Sequence, residues 1–526
     1  MEDAMRVTPR SSRLRPITAS LLVVLPLVMV ISGPTGTSAS SAAARLQHST
    51  ATASPPRSRQ FAHSFVIRSG PRLYVAGRPF RFGGANIEWL GLVGYGPFDP
   101  NGPHFPSNYE INDAMATARE MGVTVVRSQT IGDSVGCDQC LEPTLGHFNP
   151  AAFERVDYAL KSARARGIKI IPTIIGDDAR GGGTGCVYLR WRSISVPGCS
   201  IINMPPFWTD QKVMEDVKEH IKKLFDHVNV YTHVAYKNDP TILGWDLLNG
   251  GGSPSSWTRR IVRYVRSLDS HHLILSGSAN AAIRGVDLCV GFIYPHWSQP
   301  LASVKRGIAG CKAAGKPFAA YEYGWDRTNF PTLRGLRVFL KSLENTPEIV
   351  GDAFWALQAH NDGHGWMPIP ADLNDPATAP HVETGQWWAL YYTGIQTLVS
   401  TAVDMAARAQ MLRRHIYVVR GVRLPAHAIP PAPVITSAVY GPNNPTERLG
   451  ARIYWQGSAG ARNYSVQRAT AAAGPWTTVC RRCATDLDDG YVDESSGAKS
   501  SWYRVIPYNL AGRPGPASNP IEASTG

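Results

Sequence analysis

Several absences narrow the field at once. The chain has 526 residues and a formal charge of +13, yet it contains no dense basic run and no recognisable nucleic-acid module. Its Lys and Arg residues lie near the start or are scattered along helix-like segments, so a nucleic-acid role is excluded. Attraction to an anionic cell surface stays open. The apolar run 17–31 is too short and too interrupted for a transmembrane helix. Neither CxxC pair, Cys137/Cys140 or Cys480/Cys483, has a His at ligand spacing, and the two fall in different candidate domains. That argues against zinc, and no metal or cofactor is expected.

What is present points to export. Arg10, Arg13 and Arg15 precede the apolar run, and a small-residue stretch follows at 38–44. This is the layout of a signal peptide covering 1–44, with an uncleaved signal anchor as the alternative. Residues 45–60 are rich in Ser, Ala and Pro and are expected to be disordered. Eight cysteines in an exported chain suggest disulfides. The simplest scheme joins nearest neighbours: Cys137 to Cys140, Cys186 to Cys199, Cys289 to Cys311 and Cys480 to Cys483. A secreted, possibly cell-wall-associated monomer with no obligatory protein partner is the expectation.

From residue 65 onward, short apolar runs alternate with amphipathic helical stretches. Strands are expected at 80–85, 124–128, 169–175, 242–249, 272–277, 289–294, 317–323 and 351–356. Helical patterns separate them, and a last one near 398–417 would close the ring. Eight strands with intervening helices predict an α/β fold, a (β/α)8 TIM barrel over 61–423. A Pro-rich linker follows at 424–434. Beyond it, residues 435–526 switch to short alternating strands separated by Gly and Pro turns, as in a small all-β immunoglobulin-like sandwich.

Chemistry in such a barrel sits at the C-terminal ends of its strands. Those ends carry Arg127 on the second strand, Asn249 and Gly250 on the fourth, and Tyr294 on the sixth, with His296 and Trp297 after it. Glu322 lies on the seventh strand and Trp355 on the eighth. Taken singly, a buried Arg balances a structural carboxylate and a strand-end Trp caps a core. A carboxylate inside an apolar strand is costly to bury unless it is paired or functional, so Glu322 stands out. The chain has fourteen Trp, and more than half are expected in cores and interfaces.

The set, in this order, resembles glycoside hydrolase family 5, and in particular its β-mannanase-like branch. The resemblance is carried by VIRSGPRLYVAGRPFRFGGANIEWL at 66–90, TVVRS at 124–128, KNDPTILGWDLLN at 237–249 and KPFAAYEYGW at 316–325. The tail, with NYSVQR at 463–468 and WYRVIPYN at 502–509, is similar to a fibronectin type III module, which usually acts as a spacer. The resemblance implies a retaining two-carboxylate mechanism on a β-linked polysaccharide or oligosaccharide. It implies Glu322 as nucleophile, Arg127 keeping it ionised and oriented, Asn249 on the sugar 2-hydroxyl, Tyr294 beside the nucleophile and Trp355 as the stacking platform. Trp89, Trp297, Trp325 and Trp366 are candidates for neighbouring subsites.

Two departures follow from the same resemblance. The residue after Asn249 would be the acid/base Glu and is Gly250, and a His-x-Tyr motif on the sixth strand reads Phe292-Ile293-Tyr294. Asp133, Asp177, Asp178 and His296 are the groups that other loops would bring to the site. The expectation is therefore a mannanase-like glycosidase lacking its acid, with a polysaccharide-binding pseudoenzyme as the alternative.

Overall fold

The structure is a computed structural model. It describes residues 57–94, 102–176, 184–200, 203–250, 252–295, 298–325, 330, 332–363, 365–367, 389–395, 400–442, 449–486, 490–495 and 499–525. The signal-peptide expectation therefore lies outside the described residues, as do Asp177, Asp178, His296 and Trp297. A short helix, α1 (Arg57–Ala62), opens the described chain inside the segment expected to be disordered. Phe61 explains the difference, because its ring packs 5.6 Å from that of Phe80.

A three-stranded antiparallel meander comes next: β1 (Val66–Ser69), β2 (Arg72–Val75) and β3 (Arg78–Phe80). Its side chains Val66, Leu73, Val75 and Phe80 share one apolar cluster with Phe82, Val125, Ile171, Leu243 and Val290 of the barrel strands. The meander thus plugs the barrel at the end where the strands begin.

The barrel strands are β4 (Phe82–Asn86), β5 (Val125–Ser128), β6 (Lys169–Pro172), β7 (Gly244–Asp246), β8 (Leu273–Gly277), β9 (Leu288–Ile293), β10 (Phe318–Tyr323) and β11 (Ile349–Phe354). They form one parallel sheet in the order β6-β5-β4-β11-β10-β9-β8-β7. Backbone bonds from Ile170 to Thr241, from Leu243 to Ile170 and from Ile174 to Asp246 join its two edges. All eight expected strands are present, each within a few residues of its expected bounds. Around them run α2 (Asn108–Met121), α3 (Pro150–Arg166), α4 (Thr184–Trp191), α5 (Pro205–Thr209), α6 (Gln211–Asp226), α7 (Ser255–Leu268), α8 (Pro300–Ala313), α9 (Arg334–Glu344) and α10 (Ala402–Val419). Local signals set their ends. Ser107 and Glu110 form a reciprocal capping box at the start of α2, and Gly122 ends that helix in the left-handed conformation. The last helix, α10, packs so tightly on the first barrel strand that a Cβ on Gly83 would lie 2.9 Å from Ile416, so the contact needs glycine. Among the described residues, no helix is long and apolar enough to cross a membrane.

Two short strands follow the eighth barrel strand, β12 (Leu357–Gln358) and β13 (Leu390–Tyr391). After α10, residues 422–433 carry no regular structure, as a Pro-rich linker requires. The remaining strands are β14 (Val434–Gly441), β15 (Gly450–Gln456), β16 (Ala461–Ala469), β17 (Thr477–Ala484), β18 (Tyr491–Asp493), β19 (Trp502–Asn509), β20 (Ile521–Glu522) and β21 (Ser524–Thr525). They form two four-stranded sheets around a cluster containing Ile435, Ile453, Trp455, Tyr464, Val466, Tyr503 and Val505.

This β region is fastened to the barrel by a buried ionic contact. His360, 1% exposed, lies between Asp113 of α2 at 2.8 Å and Asp486 at 2.7 Å. Burial opposes a charge on the imidazole, but the two carboxylates outweigh it and raise its pKa to about 10. Tyr464 and Trp366 also donate to Asp486, and Tyr109 donates to the Gly457 carbonyl.

Three of the four expected disulfides are formed: Cys137–Cys140, Cys186–Cys199 and Cys480–Cys483. The fourth is corrected. Cys289 and Cys311 are buried free thiols, close enough to hydrogen-bond to one another. The core therefore brings them together, on β9 and α8, without joining them.

Candidate active site

The site is built around Arg127, which is 0% exposed at the end of β5. Its Nη1 donates to Glu322 Oε2 at 2.6 Å and to Asn86 Oδ1 at 3.1 Å. Its Nε and Nη2 reach Asp246 Oδ2 at 3.1 and 3.0 Å, and Nη2 also donates to Asn249 Oδ1. Each of the guanidinium nitrogens is thereby engaged, which fixes the fork rather than merely neutralising its charge. Burial opposes that charge, but Tyr321, Asp246 and Glu322 together raise the pKa above that of free arginine.

Glu322, 3% exposed, accepts a second bond from the Tyr294 hydroxyl, at 2.9 Å on Oε1. Its two oxygens are thus held from two sides. An irregularity in the seventh strand explains how. The pairing of β10 with both neighbours shifts register between Ala319 and Tyr323. Tyr321 belongs to the cluster inside the barrel, and Glu322, the next residue, also points inward. A β-bulge re-aims a side chain in this way and is typical of strand ends beside active sites. Tyr321 then donates to Asp246 at 3.2 Å.

Asp246, at the end of β7, is tied into the same network. It is fully buried and bonded to Arg127, Thr173 and Tyr321. Burial raises its pKa, against the pull of Arg127. It acts as a counter-ion below the mouth.

The structure brings together Arg127, Asn249, Tyr294 and Glu322. Trp355 joins them, packed with Tyr294 and Ala356 in a small separate cluster. The other described candidate tryptophans make different contacts. Trp325 shares the outward parity of Tyr323, and its ring lies 4.8 Å from Phe339 of α9. Trp366 stacks on His360 at 3.9 Å and donates to Asp486, which makes it part of the junction with the β region. Trp89, three residues past β4, is buried in the main apolar cluster. Strand-end position alone does not tell an inward ring from an outward one, so the sequence grouped them.

The loop after Asn249 looks different. Gly250 follows Asn249 with φ +80°, a left-handed conformation, and a Cβ there would have nothing within 4 Å. A cavity of about 300 Å³ lies beside it between β9 and α8, lined by residues that include Ser278, Phe292 and Arg306; among the described residues no carboxylate lines it. Phe292 lies against Arg127, 5.4 Å from ring centroid to guanidinium carbon, and edge-on to Tyr321. Asp133 does not fill the gap. It is 0% exposed and sits against Gly176, where a Cβ would meet its carboxylate.

Sequence reasoning did not single out Asn86, Thr173, Tyr321 or Glu88. Asn86 donates to the Tyr321 and Phe354 carbonyls and accepts from Arg127, tying three strands together. Glu88, two residues past β4, hydrogen-bonds Gln358, and burial pushes its pKa up to about 7.

Residues 63–287 match the family described as GH family 5 beta-mannosidase-like. The chain is 32% identical over 222 residues to mannan endo-1,4-beta-mannosidase 7 of Arabidopsis thaliana, covering 40% of this chain and 48% of the relative. It is 30% identical over 252 residues to mannan endo-1,4-beta-mannosidase 2 of Oryza sativa subsp. japonica, covering 46% and 51%. The chain thus spans about half the length of these curated relatives. Among solved structures it is similar to the endo-beta-1,4-mannanase from Thermotoga petrophila, with TM-score 0.52, 19% identity and coverage of 86% and 99%. It is also similar to a glycoside hydrolase family 5 mannosidase from Rhizomucor miehei, with TM-score 0.54, 17% identity and coverage of 68% and 98%. The sequence matches support the GH5 β-mannanase-like family, and the structural ones the (β/α)8 fold.

Proposed function

We propose that this chain is a secreted retaining β-glycosidase of the endo-1,4-β-mannanase type, acting on β-mannan or a related polysaccharide, with glycine in place of its acid/base. The observation that carries the reading is Glu322, held by Arg127 and Tyr294 at the mouth of the barrel. A carboxylate so fixed attacks the anomeric carbon as the bond to the leaving oxygen breaks, giving a glycosyl-enzyme that water then hydrolyses. Asn249, oriented through its bond from Arg127, faces the sugar 2-hydroxyl, and Trp355 offers a face for the ring. Nothing at Gly250 protonates the leaving oxygen.

General acid help is typically worth about 10²- to 10⁴-fold, and unactivated sugar leaving groups depend on it most. Natural mannan is therefore a poor substrate, whereas an aryl mannoside, whose phenolate leaves unaided, is turned over. A second reading is favoured by the glycine that follows Asn249: a barrel that binds polysaccharide without useful hydrolysis. In either case the C-terminal β region is a fibronectin type III-like module, and the chain works as a monomer outside the cell.

The test compares nitrophenyl β-mannobioside with β-mannan at equal enzyme. The proposal expects measurable nitrophenol release with little or no reducing sugar from mannan. Binding of mannooligosaccharide without any nitrophenol release would favour the second reading.

A further inference from the structure

At the opposite end of the barrel from Glu322, a cavity of about 350 Å³ is lined by five arginines: Arg78, Arg81, Arg119, Arg166 and Arg420. They arrive from β3, the start of β4 and the C-terminal ends of α2, α3 and α10. None of the five forms an ion pair among the described residues. Glu344 and Asp352 partly offset Arg81 and Asp113 partly offsets Arg166, but their hydrogen bonds go to His415 and His360.

A basic residue at a helix C-terminus complements the helix dipole, which explains Arg119, Arg166 and Arg420 one by one. It does not explain their convergence. Three helix ends supply roughly −0.5 charge each, well short of five full positive charges. Arg420 feels this directly, since burial and then the neighbouring Arg119 lower its pKa.

Several of these guanidinium groups are already fixed in place. Arg81 donates through Nη2 to the Leu343 and Thr346 carbonyls, Arg420 to the Gly122 carbonyl and Arg166 to Ser162. A guanidinium has five N–H donors, so each retains some. Two buried polar atoms on the same lining have no partner at all: Arg81 Nε and the hydroxyl of Thr124, a residue only 6% exposed. Both are therefore available to a group bound in the cavity.

We propose that this cavity is a binding site for an oxyanion carrying two or more negative charges, of the phosphate class, either free or borne on a polymer. Fixed guanidinium forks with donors to spare are the geometry that such groups select. The site is independent of the sugar cleft, so it stands or falls apart from the glycosidase reading.

Calorimetric titration of the full chain with inorganic phosphate, pyrophosphate and poly(glycerol phosphate), at low and moderate salt, tests it. Pyrophosphate is expected to bind saturably. Binding is expected to weaken by about tenfold or more in Arg78→Ser/Arg119→Ser, two exposed positions, and also in Thr124→Val. An unchanged melting temperature checks that the variants fold. Weakening of pyrophosphate and polymer alike supports the site and assigns it polymer-borne phosphate; weakening for the small ions alone supports it as a free-ion site. Absence of pyrophosphate binding, or binding that the variants leave untouched, overturns it.

Discussion

The two sides of the barrel mouth are built on different terms. On the side of the proposed nucleophile, Glu322, Arg127, Asp246, Asn249, Tyr294 and Tyr321 form a closed network in which each charge meets an opposite charge or a hydroxyl. On the other side, Gly250 turns the chain in a left-handed conformation and is exposed. Buried charge is costly unless fully satisfied, so the first arrangement is maintained only where every member is present. Gly250 is exposed at a loop start, where a change of side chain carries no comparable burial cost. The contrast sets a buried, mutually bonded cluster beside an open loop whose residues can change without disturbing it.

The largest expected effect comes from breaking the stronger half. Glu322→Ala should abolish aryl β-mannoside turnover, reducing it to background; retained activity would show that another group attacks. Next is Arg127→Met, which leaves Asp246 and Glu322 buried without their cation. It should cost about 3–5 kcal/mol, read by urea unfolding. A loss below about 1 kcal/mol would mean that the network is as replaceable as a surface ion pair.

The weaker half is sharpened at Gly250. Gly250→Ala should cost about 1–2 kcal/mol through its left-handed backbone alone. Gly250→Glu carries the same strain but adds a carboxyl, and it should raise mannan hydrolysis by part of the roughly 10²- to 10⁴-fold that an acid supplies. Equal mannan rates for Gly250→Ala and Gly250→Glu would show that this position no longer faces the glycosidic oxygen.

The smallest effect is a pH slope at Glu88. An unfolded Glu titrates near 4.5 and this one at about 7, so between those values the native state holds a proton that the unfolded chain has lost. Stability from this group is greatest below 4.5 and falls as pH rises toward 7 and above. Glu88→Gln should therefore match the parent's melting temperature near pH 4 and exceed it at pH 8. The reverse order would mean that Glu88 is ionised and paired.

Much of this was readable beforehand because barrel strands are short apolar runs at regular spacing, and their ends are where polar residues stand out. Arg127, Asn249, Tyr294, Glu322 and Trp355 were found in that way and lie together. Tyr321 was not, since alternation assigns it and Glu322 to opposite faces, and only a bulge brings both inward. Trp325 and Trp366 were grouped with the sugar platform because a strand-end ring carries no label for its direction. The β region was read as a spacer, yet Asp486 reaches His360 through a contact between residues 126 positions apart. Such long-range pairings leave no local pattern. Cys289 and Cys311 were expected to be bonded because they are neighbours in sequence, but proximity brought two thiols together without joining them.

The central claim is a live nucleophile without its acid, and azide tests it directly. Azide is a small anion that attacks a glycosyl-enzyme without general-base help and fits where a carboxylate is missing. With nitrophenyl β-mannobioside, the account expects azide to accelerate nitrophenol release and to yield a mannobiosyl azide of retained β configuration. Release that azide leaves unchanged, accompanied by efficient hydrolysis of mannan, would contradict it.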